Sequence, residues 1–391
     1  MPPHDHEPDV AALRPRILVL REGRAGDTGQ LLALADALGF SYEPADFRRS
    51  VAHVLLDRLA ERLGLSVPLP GGVQWGPPWP DLLLASGGRA ISTALQVRRH
   101  SRGHTRVVVI GRPWSRLAPL DLVITTPQYR LPEAPNVLHN LLPLNTLPAE
   151  RLAAAAERWR RSVAHLPEPF VAVVLGGASG SFRFTRRDAR SLARHASAVA
   201  GELGGSVLAT SSPRTPQAAV NAFEASLSVP HQLHRWSPGQ TENPYLGYLA
   251  LAQRILVTGE SASMIAEAVR TGKPVATFAL TPRWRTRLLH LPLGRLARAL
   301  GVAGGHRRLE ARLTRSGLWI PPRDLGLLHR RLREVAAPGP GPGEFLVLNT
   351  RLDRDLERAR NRVLALLGEA SAEQTRTAVT GGGTRSGHRP R

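Results

Sequence analysis

The chain has 391 residues, with 52 Lys+Arg against 31 Asp+Glu and a formal charge of +21. Lys273 is the sole lysine, so arginine carries nearly all of that charge, and the net field favours anionic partners without choosing one. Cysteine is absent, which removes disulfides, thiolate catalysis and Cys-based zinc or iron–sulfur sites.

A single core stops growing near ~250–300 residues, so two domains are expected. The polar start, Met1 to Val10, holds Asp5, Glu7 and Asp9 and reads as neither a signal nor a transit peptide. No apolar run approaches the ~20 residues of a membrane span. The expectation is a cytoplasmic chain, peripheral at most to the inner face of a membrane. With only 4 Tyr and 8 Phe, and cations spread through the chain, no nucleic-acid partner is expected.

The first predicted strand is Ile17-Leu-Val-Leu20, followed by a glycine turn and a helix carrying Leu31, Leu34, Ala35 and Leu38, closed by Gly39. Asp81–Ala85 repeats the pattern, with a turn at Ser86-Gly-Gly88 and a helix over Arg89–Arg99. Strands at Val107–Ile110 and Leu122–Thr125 complete a first half. A helix over Glu150–Ala164, bracketed by prolines, reads as a connection. The alternation then restarts: Phe170–Leu175, a turn at Gly176–Ser181, a helix from Arg187 to Gly201, and strands at Val207–Thr210, Ile255–Thr258 and Pro274–Phe278. Repeated βα units call for parallel sheets covered by helices. The fold class is therefore α/β, with two doubly wound Rossmann-like domains facing a central cleft. The expected boundaries are a disordered N-terminus 1–15, a first domain 16–146, a linker 147–168, a second domain 169–337, a C-terminal helix 344–368 and a disordered tail 369–391. Residues 281–333 hold 13 arginines against Glu310 and Asp324, just over half of the net charge. With Trp284, Leu288, Leu289, Leu291, Leu293 and Leu296, this stretch is either a solvated basic face or a surface for anionic lipid.

In open α/β sheets ligands bind beyond the carboxyl ends of strands, so the turns there are the candidate sites. Gly23-Arg-Ala-Gly26-Asp27-Thr28-Gly29-Gln30 opens the first helix, where free N–H groups suit an anion; Asp27 or Thr28 also fits a plain N-cap. Asp46, 20 residues past Gly26, stands where a ribose-binding acid falls in dinucleotide folds, but the glycine spacing is not that fingerprint. Gly87, Gly88 and Arg89 repeat the device, with Arg89 placed to meet an anion. Gly176, Gly177 and Ser179 offer a backbone phosphate nest. In Thr258-Gly-Glu-Ser261-Ala-Ser263-Met-Ile-Ala-Glu267, Ser261 can cap the helix and Ser263 lies in its first turn. Glu267 sits among Ile265, Ala266 and Ala268, so its carboxylate needs a partner, either an arginine or a ligand hydroxyl. A short-chain epimerase is a poor fit, because Val269 stands four residues before Lys273 where a Tyr-x-x-x-Lys pair needs tyrosine.

The order Asp81–Gly88, Gly176–Ser181, Ser261–Pro274 resembles GT-B nucleotide-sugar glycosyltransferases, among them the peptidoglycan N-acetylglucosaminyltransferase. A closer resemblance covers most of residues 16–280. It rests on Gly111-Arg-Pro-Trp114, Thr125–Pro132, Asn136-Val137, Pro143-Leu-Asn145, Gly176–Ser179, Thr210–Pro216 and Asn243–Leu249. Together these are similar to the "elongated mitochondria" family of mitochondrial fission, whose bacterial members are regarded as glycosyltransferases and whose plant members imply an adaptor that recruits division machinery. The resemblance implies a nucleotide sugar as substrate, no cofactor and no metal. It implies donor-binding roles for Gly176, Gly177, Ser179, Ser261, Ser263 and Glu267, the last toward ribose hydroxyls. Gly23, Gly26, Gln30, Gly87, Gly88 and Arg89 fall on the acceptor side. Asp27 matches the place of a general base, although the peptidoglycan enzyme has histidine there. Arg214 is the candidate cation for the leaving diphosphate; an exposed loop arginine is the plain alternative.

Overall fold

The computed structural model describes residues 14–22, 25–46, 67–70, 75–179, 182–283, 303–339, 345–348 and 351–381, with Leu56, Leu59, Leu63, Leu65 and Val73 as isolated positions. In the first half β1 (Ile17–Arg21), α1 (Ala25–Leu38), β2 (Tyr42–Asp46), β3 (Leu82–Ser86), α2 (Gly88–His100), β4 (Arg106–Ile110), β5 (Leu122–Thr125) and β6 (Val137–His139) follow in order. Their strands form one parallel sheet ordered β2-β1-β3-β4-β5-β6. In register, Ile17 lies between Tyr42 and Leu82. The central strands are apolar without interruption because helices cover both faces.

Helix α3 (Ala149–Val163) leads into β7 (Phe170–Val174), β8 (Phe182–Arg183), α4 (Arg186–Glu202), β9 (Ser206–Thr210), α5 (Gln217–Glu224) and β10 (His231–His234). Next come α6 (Tyr245–Leu251), β11 (Arg254–Thr258), α7 (Ala262–Arg270), β12 (Val275–Phe278) and β13 (Thr281–Pro282). The second sheet runs β10-β9-β7-β11-β12, all parallel, and β8 pairs with β13 in a separate ribbon. Helix α4 starts from a capping box in which Thr185 and Asp188 exchange hydrogen bonds. The lone lysine closes α6: Lys273 Nζ donates to the carbonyls of Leu249, at 3.0 Å, and Ala250.

The end of the chain returns to the first half. Helix α8 (Ala303–Arg315) is tied there by the Leu117 N–H on the Arg315 carbonyl, 3.0 Å, and by Arg130 with Glu310, 3.2 Å. Helix α9 (Leu325–Val335) then packs on the second half, and the short β14 (Ala337–Pro338) and β15 (Leu346–Val347) add antiparallel to β12. In α10 (Arg351–Gly381), Ala359, Val363, Leu364 and Leu367 join the core beneath α1. This helix continues past the expected end at Leu367, because Ala370, Ala372, Glu373 and Gln374 are strong helix formers and glycine first recurs at Gly381. Trp284, Leu288, Leu289, Leu291, Leu293 and Leu296 lie outside the described residues. Among the described residues no helix is long and apolar enough to cross a membrane.

Candidate functional site

Strand order locates the site. In the first sheet the chain leaves β1 toward β2 and then crosses to β3, so the switch point lies between β1 and β3. In the second sheet it leaves β7 toward β9 and β10 and crosses to β11, so the switch lies between β7 and β11. All but one of the expected site residues sit on the segments following these strands; Arg214 follows the neighbouring β9.

At the β7/β11 switch the glycine turn is locked to the next one. Gly176 N–H donates to Thr258 Oγ1 and Gly177 N–H to Glu260 Oε1, both at 2.8 Å. The approach requires glycine: a Cβ on Gly176 would lie 1.9 Å from Glu260 Oε1, and one on Gly177 1.9 Å from the Arg214 carbonyl oxygen. Glu260 is buried, with Oε2 unpartnered. Burial pushes its carboxyl above the ordinary range, while the Gly177 N–H, Thr258 and Arg214 act in the opposite sense. Arg214 itself is 44% exposed and reaches within 4.0 Å of Glu260, so it stands at the glycine turn with its charge open to solvent. Ser179 N–H and carbonyl bond to Phe182 across the tight end of the turn. Sequence reading gave Glu260 no role, although an acid flanked by glycine and serine at a strand–helix turn is a usable signal.

Ser261 is the N-cap of α7 by position, but its side chain makes no capping hydrogen bond. The expectation of a capping serine is corrected: it leaves its helix's first N–H groups without that acceptor. Glu267 meets neither an arginine nor a ligand. Asn145 Nδ2 donates to Oε1 at 2.8 Å and the Tyr245 hydroxyl to Oε2 at 2.6 Å. Burial, and then the Glu267 charge, push the Tyr245 phenol well above its ordinary value, so it remains a donor. Asn145 is buried and its Oδ1 has no partner. Both residues belong to motifs noticed in the sequence, but their meeting with Glu267 spans 122 and 22 positions and no local pattern announces it.

The halves meet at these switch points. A Cβ on Gly26 would lie 3.1 Å from Ser263 Oγ, which puts the first turns of α1 and α7 against each other. Asp27 lies in that first turn of α1. Gln30 is engaged in structure: its Nε2 donates to the Gly26 carbonyl, 3.2 Å, and its Oε1 accepts from Leu144 N–H, 3.3 Å. Gly23 lies outside the described residues. Gly87 has φ +87° and lies under Glu22, and Gly88 lies beside the Trp114 ring. Arg89 is corrected: it forms an ion pair with Glu22, so the turn's own acid takes the place expected for an anion. Asp46 likewise pairs with Arg21, Nε to Oδ1 at 2.9 Å.

Fold and site define a two-domain α/β protein whose paired glycine turns meet between the halves. Residues 25–314 match the model of the mitochondrial fission ELM1 family, and the chain belongs to that family. The Arabidopsis thaliana mitochondrial fission protein ELM1 is 31% identical over 218 residues, 50% of this chain and 51% of that protein. The chain thus spans about half the length of that curated relative. Among solved structures it is similar to MurG from Acinetobacter baumannii, at 11% identity and TM-score 0.36, covering 91% of this chain and 100% of the other. It is also similar to a UDP-glucosyltransferase from Polygonum tinctorium, at 11% and 0.42, covering 91% and 99%. A UDP-GlcNAc 2-epimerase from Neisseria meningitidis gives 12% and 0.39, covering 82% and 98%. Scores of this size carry no argument about function.

Proposed function

We propose that the chain binds a nucleotide sugar at the β7/β11 switch point and transfers the sugar to an acceptor held by the first half, with a membrane-surface acceptor as the expected class. The observation behind it is the close approach of Gly26 to Ser263, which sets two switch-point turns against each other. The uncapped start of α7 and the Gly176–Ser179 turn suit a diphosphate, and Arg214 supplies a mobile cation for the leaving group. Glu267, with each oxygen holding one protein donor, retains lone pairs for ribose hydroxyls. Asp27 takes the acceptor proton as base. The scheme needs no resident cofactor or metal.

The test is isothermal titration against uridine, guanosine and cytidine diphosphates. One of them binds, Glu267→Ala weakens it at least tenfold, and Asp27→Asn keeps binding but loses turnover of the matching nucleotide sugar. Absence of binding to all three sinks the reading. An adaptor role is the second reading, favoured because Glu267, Arg89 and Glu260 all have protein partners already. It predicts no nucleotide binding, together with capture of division or membrane machinery that survives Asp27→Asn.

A further inference from the structure

Two sequence motifs, Gly111–Trp114 and Thr125–Pro132, meet at the carboxyl ends of β4 and β5 and take no part in the site above. Tyr129 ends the 3-10 turn after β5, and a Cβ on Gly111 would lie 3.8 Å from its ring and 4.0 Å from Ser86 Oγ. Two guanidiniums lie over that ring, Arg112 at 5.9 Å and Arg323 at 5.8 Å from its centroid. Arg323 arrives from the segment joining α8 to α9. That segment is held by the Asp324 N–H on the Gln128 carbonyl, 2.8 Å, and by Arg112 Nη1 on the Pro321 carbonyl.

The charges here do not balance. Each nearby acid is committed: Glu22 to Arg89, Glu310 to Arg130, and Asp324 to the start of α9 and to Arg330 at 3.7 Å. Among the described residues, no carboxylate forms an ion pair with Arg112 or Arg323, and the Nε of each is buried without a partner. Burial lowers the Arg112 guanidinium from its ordinary value; Tyr129 opposes this and Arg323 adds to it. Two like charges at one ring, with donors left over, are the arrangement an anion relieves.

We infer that Arg112 and Arg323, beside Tyr129, form an oxyanion site that takes the phosphate of an acceptor bound by the first half. The planar guanidinium fork matches phosphate oxygens in a way that an ammonium does not. Trp114, 45% exposed and beside Gly88, offers an apolar face for the group that carries the phosphate. The assignment of that phosphate to an acceptor rests on the transferase reading, whereas the anion site does not.

The test uses the full chain at fixed ionic strength. Glycerol 3-phosphate is titrated calorimetrically, and phosphatidylcholine vesicles with or without phosphatidic acid are used in flotation. Wild type binds glycerol 3-phosphate; Arg323→Gln and Arg112→Gln weaken it at least tenfold, and Arg323→Lys, which keeps the charge but not the fork, falls between. Arg151→Gln on α3 stays within twofold, which excludes a mere response to net charge. Binding of phosphatidic acid vesicles that is lost in Arg323→Gln identifies a lipid headgroup as a source; binding of glycerol 3-phosphate alone identifies a soluble phosphate. Should Arg112→Gln fail to fold, Arg323→Gln and Arg323→Lys still decide. Unchanged affinity in the Arg323 variants, equal loss in Arg151→Gln, or no phosphate binding by wild type overturns the site. Nucleoside diphosphate affinity, measured alongside, separates the two readings: its absence with Arg323-dependent phosphate binding overturns transfer and leaves this site standing.

Discussion

Gly177→Ala tests the interlock at the second switch point. A methyl group there would sit 1.9 Å from the Arg214 carbonyl oxygen, 2.2 Å from its carbon and 2.7 Å from Thr215 N, all backbone atoms that cannot swing aside. The β9–α5 loop must move, at about 1–3 kcal/mol for overpacking. The same movement strains the 2.8 Å bond from Gly177 N–H to Glu260, the only donor recorded on a buried carboxylate oxygen, and a buried group left unpaired costs about 1–3 kcal/mol more. The expected loss is therefore roughly 2–5 kcal/mol. Gly29→Ala is the internal control: Gly29 lies within α1, a Cβ there meets nothing within 4 Å, and the change is expected to stabilise by about 0.5–1 kcal/mol. Urea denaturation followed by circular dichroism reads both, provided the slope is unchanged. A Gly177→Ala midpoint indistinguishable from wild type would refute the interlock and, with it, the placement of Glu260.

Tyr245→Phe removes one of the two protein donors on Glu267 and is expected to destabilise by about 1.5–3 kcal/mol, measured by the same denaturation; a change under about 0.5 kcal/mol contradicts the pairing. His329 gives a pH signature. Its Nε2 lies 2.8 Å from the Gly259 carbonyl, which can only accept, so Nε2 carries the proton of the neutral ring and Nδ1 faces Thr277 Oγ1. Burial lowers its pKa; the Gly259 carbonyl and Asp324 oppose that, and Arg333 adds to it. The unfolded chain therefore binds more protons just below about pH 6.5, and stability falls as pH drops through that value toward the folded pKa. Melting temperatures at pH 7.5 and 5.5 are expected to differ more for wild type than for His329→Gln; equal differences overturn this.

The alternation of strand and helix was legible because central parallel strands such as Leu82–Ser86 and Phe170–Val174 are covered on both faces and must be apolar throughout. Tyr42–Asp46 was not, since an edge strand with Pro44 and two acids carries no apolar run; it is a strand because Ile17–Arg21 supplies its partner. The same division holds at the site. Gly176, Gly177 and Ser263 were legible from turn chemistry, which is local. The partners of Glu267 and the acid locking the glycine turn were not, because contact between distant segments decides whether a carboxylate meets an arginine, an amide or a phenol.

The basic stretch illustrates the consequence of that division for function. Read as composition, residues 281–333 form a charged face awaiting a membrane. In the described part several of those cations are instead structural: Arg315 donates to the Glu133 carbonyl at 2.6 Å, and Arg323 lies over Tyr129. Glu310, one of the two acids there, holds Arg130 of the first half, while His329 holds the second half at Gly259. Residues 303–329 therefore run from one half to the other and help fix how the switch points face each other. Charge reversal at Arg315 would perturb that seam whether or not lipid is present. A lipid-binding assay on such variants therefore separates a membrane role from an interdomain one only if nucleotide and phosphate affinities are measured on the same proteins.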